Sequence, residues 1–202
     1  MAHKNGRIQN FLQLFLIVLS LAAPCAAQTT PVWEFFGGYS RARPDVREYF
    51  KSSPILYTFR SQYVNLRGWE VSVTENMNRW FGGTLQISGH YNTPQLLGTA
   101  NRERMHSILY GPRFFYRTPW VIPFVHVLAG LARADVAVTP VGPHASDNTF
   151  AVAAGGGLDI NLAGKAAVRL FQAEYFRTSA LGTRQNSYRA SAGVVFYLGK
   201  RK

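Results

Sequence analysis

Apolar and polar residues alternate one for one along most of the chain, the period of a β-strand whose side chains point to opposite faces. In "FAVAAGGGLDIN" the set Phe150, Val152, Ala154, Gly156, Leu158 and Ile160 is apolar, whereas Ala151, Ala153, Gly155, Gly157, Asp159 and Asn161 are small or polar. Tyr188, Ala190, Ala192, Val194, Phe196 and Leu198 oppose Ser187, Arg189, Ser191 and Gly193 in the same way. Trp69, Val71 and Val73 oppose Gly68, Glu70, Ser72 and Thr74, and Phe81, Leu85, Ile87 and Tyr91 oppose Gly82, Thr84, Gln86, Ser88 and His90. The pattern predicts eight strands, near residues 31–41, 66–76, 79–91, 105–117, 121–134, 148–161, 165–178 and 186–199. Each is 11 to 14 residues long, which exceeds the usual strand of a soluble sheet and suits a tilted crossing of a bilayer. The links between them run 24, 2, 13, 3, 13, 3 and 7 residues, so one end of the sheet is tight and the other looped, as in outer-membrane barrels.

The chemistry of the two faces separates a soluble sandwich from a membrane barrel. A sandwich buries its large apolar face and exposes charge. Here the polar face consists of small residues with isolated charges, which fits the inside of a narrow tube with lipid outside. Aromatics near strand ends, Trp33, Tyr39, Trp80, Tyr91, Tyr116, Trp120, Tyr188 and Phe196, are placed to form girdles at the two membrane surfaces. One strand resists this scheme: "AVRLFQAEYF" carries Arg169 and Glu174 five positions apart, so regular alternation turns one of them toward lipid. A one-residue bulge near Phe171 would bring Arg169, Gln172 and Glu174 to the same inner face and leave Val168, Leu170, Ala173 and Tyr175 outside.

The first 27 residues stand apart from this pattern. Lys4 and Arg7 precede an apolar run from Phe11 to Leu21, and "APCAAQ" offers a cut after Ala27: the layout of a secretory signal peptide, its apolar run too short for a spanning helix. Residues 1–27 are therefore expected to be a cleaved signal and residues 28–202 a single barrel domain. The single cysteine, Cys25, lies in the removed segment, which leaves no disulfide, thiolate metal site or cysteine nucleophile. Loss of Lys4 and Arg7 lowers the formal charge from +12 to +10. Export argues against nucleic acid as the counter-charge, and an anionic membrane surface satisfies both facts.

The stretches "EFFGGYS", "GWEVSVTENMNRWFGGTLQISGHY", "LYGPRFFYR", "PFVHVLAG", "GGGLDINL" and "VRLFQAEYFRTS" carry a resemblance to the small outer-membrane β-barrel domains of the OmpA and OmpX type. The resemblance implies an all-β, eight-stranded, antiparallel up-and-down transmembrane barrel in the outer membrane of a Gram-negative bacterium, inserted by the barrel assembly machinery. It says little about activity, because one barrel fold hosts many roles. Members of that group commonly end on an aromatic residue, whereas here "LGKRK" follows Phe196 and Tyr197.

With the polar faces turned inward, the lumen receives Glu34, Glu70, Asp159 and Glu174 together with Arg113, Arg169 and Arg189. Counting from the turns sets Glu174 near Arg189 and Asp159 near Arg169. An eight-stranded tube is just wide enough to be filled by side chains, so paired charges closing the lumen are expected rather than an open channel. In the first loop Arg41, Arg43, Arg47, Lys51, Arg60 and Arg67 outnumber Asp45 and Glu48. At an outer rim they suit lipopolysaccharide phosphates, to which arginine gives paired hydrogen bonds.

No enzymatic activity is expected. Barrel enzymes that edit lipid A place a histidine and a serine near the outer rim, but His106 and the adjacent Ser107 point to opposite faces. His90 and Ser88 share a face without an acid to orient the histidine. No histidine and carboxylate cluster has ligand spacing, and "AAGGGLD" lacks a phosphate-loop lysine, so no metal or cofactor is expected. The expected role is structural or surface interaction as a monomer: membrane integrity, lipid contact or adhesion through the loops. A narrow passage for small or apolar solutes is the alternative, and a lipid-modifying enzyme a more distant one.

Overall fold

The structure, a computed structural model, describes residues 30–50, 58–63, 65–92, 95–96, 99–138, 144–163, 165–178 and 185–200. The expected signal peptide lies outside the described residues. Among the described residues ten strands follow one another: β1 (Trp33–Phe50), β2 (Thr58–Tyr63), β3 (Leu66–Asn76), β4 (Phe81–Asn92), β5 (Gln95–Leu96), β6 (Thr99–Phe115), β7 (Val121–Val138), β8 (His144–Ala163), β9 (Ala166–Thr178) and β10 (Gln185–Leu198). Eight of them form an antiparallel barrel in the order β1, β3, β4, β6, β7, β8, β9, β10, closed because β10 pairs with β1. That seam runs over twelve residue pairs, from Trp33 opposite Leu198 to Pro44 opposite Ser187. Closure leaves the eight-stranded wall itself without an edge of bare N–H and C=O groups, the condition for a strand protein to stand in hydrocarbon.

The eight barrel strands fall where the alternation places them, but several run further. β1 continues to Phe50 and folds back onto β2, from Asp45 opposite Tyr63 to Phe50 opposite Thr58, so the 24-residue link expected after the first strand contains a hairpin. β6, β7 and β8 likewise reach 17, 18 and 20 residues, more than the 9–11 or so that cross a bilayer. In these extensions the ladder persists past the point where the apolar alternation that reveals a strand ends.

The opposite end is tight. Between β3 and β4, the Asn78 Oδ1 accepts hydrogen bonds from the backbone N–H groups of Trp80 and Phe81 at 2.9 and 2.8 Å, a side chain standing in for a strand partner in the turn. Between β6 and β7, Thr118 Oγ1 accepts from Val121 N at 3.1 Å and the Thr118 N–H donates to Val121 O at the same length.

The wall sorts its residues as its sequence alternates. Trp33, Tyr39, Trp80, Tyr91, Tyr116, Trp120, Tyr188 and Phe196 are all exposed on the outside, with Leu85, Ile87, Ile108, Val125, Val127, Leu131 and Phe150 between the two aromatic rings. Inward positions are buried and mostly polar. Gly155 and Gly157 on β8 make room for neighbours: a Cβ there would fall 2.8 Å from Glu174 Cγ and 2.7 Å from the Phe124 ring. In β9 the alternation breaks at Leu170 and Phe171, which are both exposed, while Arg169 and Gln172 on either side are both buried. Against β8, Phe171 pairs with Leu158 and Arg169 with Asp159. Against β10, Gln172 pairs with Ser191 and Arg169 with Gly193. One extra residue is thus absorbed, and Arg169 and Glu174 share the interior.

Candidate functional site

Inward side chains of the barrel form one polar network with two dissimilar halves. In the half nearer the short turns, Arg117, just past β6, forms an ion pair with Glu34 of β1 and donates to Asn76 Oδ1 at 3.0 Å. The Asn76 amide donates in turn to Glu34 Oε1 at 3.0 Å. One layer deeper, Asp159 of β8 accepts two hydrogen bonds from the guanidinium of Arg169, directly opposite on β9, at 2.8 and 3.1 Å. Arg113 of β6 reaches the same carboxylate at 3.5 Å and the Thr74 hydroxyl at 3.4 Å. Each arginine also lies over an inward phenylalanine: Arg113 3.6 Å from the Phe124 centroid, Arg169 4.1 Å from Phe36, and Arg117 4.3 Å from Phe115. Away from water, this face-on contact adds a favourable cation–π attraction.

In the half nearer the long loops the carboxylates dominate. Glu174 of β9 accepts from Arg189 Nε, directly opposite on β10, at 2.5 Å, and from the Gln86 amide at 3.2 Å. His126 Nε2 of β7 lies 2.7 Å from Glu174 Oε1, the oxygen that Gln86 also reaches, while Arg189 holds Oε2. Arg189 then spans the lumen: Nη1 donates to Ser88 Oγ at 2.8 Å and Ser107 Oγ at 3.4 Å, and Nε stands 3.6 Å from Glu70 of β3. Above this layer His90 and Ser40 are hydrogen-bonded at 2.9 Å, and an apolar cluster of Leu109, Leu128, Ala132, Ala151, Ala153 and Phe176 closes the side.

The bulge joins the two halves. By bringing Arg169 and Gln172 to the same face it lets Arg169 Nη1 donate to Gln172 Oε1 at 2.7 Å, while Gln172 Nε2 donates to Glu70 Oε1 at 2.6 Å. One amide therefore passes a hydrogen-bond chain from a cation of the turn half to an anion of the loop half. Glu34 and Asp159 face Arg113, Arg117 and Arg169 in the first half, and Glu70 and Glu174 face Arg189 in the second. Neither half balances alone with a neutral histidine. Together four carboxylates meet four arginines, all buried or nearly so.

All seven expected lumen charges, Glu34, Glu70, Arg113, Asp159, Arg169, Glu174 and Arg189, lie inside and in this network. Arg117, His126 and the amides of Asn76, Gln86 and Gln172 were not among them. Arg117 was readable, since it continues the inward set Arg113, Phe115 by two positions. His126 pairs with Glu174 across strands that are not neighbours, and nothing in the sequence announces that contact. Of the loop basic residues, Arg41, Arg43 and Arg67 are exposed on the outer wall at the loop-side edge of the aromatic girdle, where Arg43 is opposite Tyr188 and Arg67 opposite Tyr91. Arg47 and Arg60 belong to the β1–β2 hairpin, their side chains outside the described residues, and Lys51 lies outside them altogether. His106 is half-buried and Ser107 buried, as opposite faces require. Ser88 bonds Ser107 at 2.8 Å rather than His90. Among the described residues no serine, histidine and acid form a relay, and no three metal-type ligands converge.

A closed eight-stranded up-and-down barrel, apolar outside and filled inside by charge pairs, has the architecture of small transmembrane barrels. The comparisons agree on the fold. No family model matches the chain, and no curated protein does. Among solved structures the barrel is similar to Neisserial surface protein A, with a TM-score of 0.64 at 14% identity over 85% of this chain and 100% of that one. It is also similar to Ail, the attachment invasion locus protein of Yersinia pestis, with a TM-score of 0.55 at 16% identity over 83% of this chain and 100% of Ail. The outer membrane protein OprG of Pseudomonas aeruginosa gives 0.52 at 11% identity over 86% and 98% of the two chains. The shared property at this level of identity is the fold.

Proposed function

We propose that the chain is an integral outer-membrane barrel whose lumen is closed by its own charge network, and that it works through its surface: by contact with the surrounding lipids and with partners at the loop end. The observation that carries this reading is the division of the wall. Aromatic rings bracket an apolar outer belt, as a bilayer requires, while the interior arginines and carboxylates pair with one another across the lumen. Extension of β1, β6, β7 and β8 well past the girdle supports a loop end that stands out from the membrane as its working face. The test is conductance of the refolded mature barrel in a planar bilayer, run beside heat-modifiable gel migration to establish folding. A folded barrel that stays electrically silent is the expected result. Discrete current steps from the folded protein would overturn the closed lumen and favour a narrow passage instead.

A further inference from the structure

Exterior cations at the loop end are not evenly placed. Arg41 of β1 lies directly opposite Arg67 of β3, a position where side chains begin about 5 Å apart and like charges repel. Neither meets a carboxylate among the side chains the structure describes. One pleat nearer the turns the same two strands pair Tyr39 with Trp69, both exposed, and the girdle residue Tyr91 is directly opposite Arg67, so the arginine pair stands at the loop-side edge of the aromatic girdle, at the depth of lipid headgroups.

Two surface cavities meet at Arg41. One of about 400 Å³ is lined by Arg41, Asn65, Arg67, Tyr91 and Asn92, a polar set rich in hydrogen-bond donors. The other, about 360 Å³, runs from Arg41 and Arg43 of β1 across β10 to β9: Ala190 and Ala173 line it in register with Arg41, and Tyr188 and Tyr175 in register with Arg43. The two alanines are direct cross-strand partners, as are the two tyrosines, whose rings meet edge to face at 5.7 Å. Small side chains between large ones make a trough in a surface that is otherwise bulky and lipid-facing.

We propose that these cavities form one binding site for a phosphorylated, acylated sugar lipid of the outer leaflet: its phosphate bridges Arg41 and Arg67, and one acyl chain lies in the trough over Ala173 and Ala190 beside Tyr175 and Tyr188. An anion between the arginines turns their repulsion into two charge-assisted contacts. The apolar trough opens from the same Arg41, so a ligand needs its phosphate within a sugar's width of its chains, which inorganic phosphate and soluble headgroups lack. This site rests on the outer-membrane reading above.

The experiment uses the mature barrel in nanodiscs of zwitterionic lipid, titrated with diphosphorylated lipid A, with dephosphorylated lipid A and with inorganic phosphate. The variants are R41Q/R67Q, A173L/A190L and, as a control away from the site, R133Q. Diphosphorylated lipid A is expected to bind, about tenfold or more weaker to R41Q/R67Q, several-fold weaker to A173L/A190L and unchanged to R133Q, with inorganic phosphate bound weakly if at all. Equal binding of the two forms of lipid A, or binding unaffected by R41Q/R67Q, overturns the site. Binding equal for A173L/A190L and wild type overturns the acyl trough. Heat-modifiable migration of each variant separates these outcomes from a failure of the barrel reading itself, in which even the wild type would show no folded, lipid-inserted form.

Discussion

The turn half and the loop half of the interior solve the same problem, charge inside a narrow tube, with different margins. Asp159 is held by Arg169 through two hydrogen bonds and approached by Arg113 as well, so its half carries a spare cation. In the loop half Glu70 and Glu174 share a single arginine, Arg189. The first arrangement tolerates loss of a partner, whereas the second does not.

Substituting one arginine in each half exposes that difference most strongly. Arg189→Met leaves two buried carboxylates without a cation and is expected to cost about 3–5 kcal/mol, the range for a stranded buried charge. Arg113→Met leaves Asp159 with both hydrogen bonds from Arg169 and is expected to cost less, about 1.5–3 kcal/mol from lost charge-assisted contacts. Urea unfolding of the two variants in lipid vesicles measures both, and equal losses would mean the halves do not differ in redundancy.

A subtler test addresses the link between the halves. Gln172→Leu removes both ends of the amide relay while preserving shape, and it leaves one oxygen of Glu70 unsatisfied, worth about 1–3 kcal/mol. If the relay couples the halves, Arg113→Met and Arg189→Met will be non-additive in a double-mutant cycle, and that coupling will vanish in the Gln172→Leu background. Additive losses would show two independent clusters.

The smallest expected effect concerns the bulge that makes the link possible. Deleting Leu170 removes the extra residue, after which regular alternation still turns Arg169, Gln172 and Glu174 inward and keeps Arg169 opposite Asp159 and Gly193. The deletion should therefore change stability by no more than about 1 kcal/mol, as for other substitutions on an outer surface. Failure of this variant to fold would mean that the bulge serves local geometry beyond the choice of faces.

How much of this was legible in the sequence follows from where side chains are constrained by period alone. The eight barrel strands were readable because a lipid-facing row and a lumen-facing row must alternate, and the aromatics of the girdles mark where each row meets the headgroups. The bulge was readable for the same reason: Arg169 and Glu174 cannot both face inward at an odd spacing without an extra residue between them. Neighbouring-strand pairs follow by counting from the short turns, which sets Asp159 beside Arg169. Contacts across the lumen do not follow. His126 to Glu174, Gln172 to Glu70 and Arg189 to Ser88 join strands that are not adjacent, and they depend on strand stagger and side-chain reach, which leave no periodic trace. The β1–β2 hairpin was hidden for the opposite reason, because its two arms, "DVREYF" and "TFRSQY", carry no regular apolar and polar alternation to betray a strand.

The seam between β1 and β10 bears on how such a molecule comes into being. Its twelve residue pairs join the two ends of the barrel sequence, the longest loop the chain closes and so the contact with the greatest entropic cost. Before it forms, Arg189 has Glu174 beside it on β9 but not Glu70 and Ser88, which approach from β3 and β4 only when the sheet curls shut. An open intermediate would hold unpaired backbone edges and half-solvated charges together against hydrocarbon, where each is costly. Closing the edge and neutralising the interior thus become a single cooperative event, and assembly should proceed all or none, with no half-zipped barrel resting in the membrane.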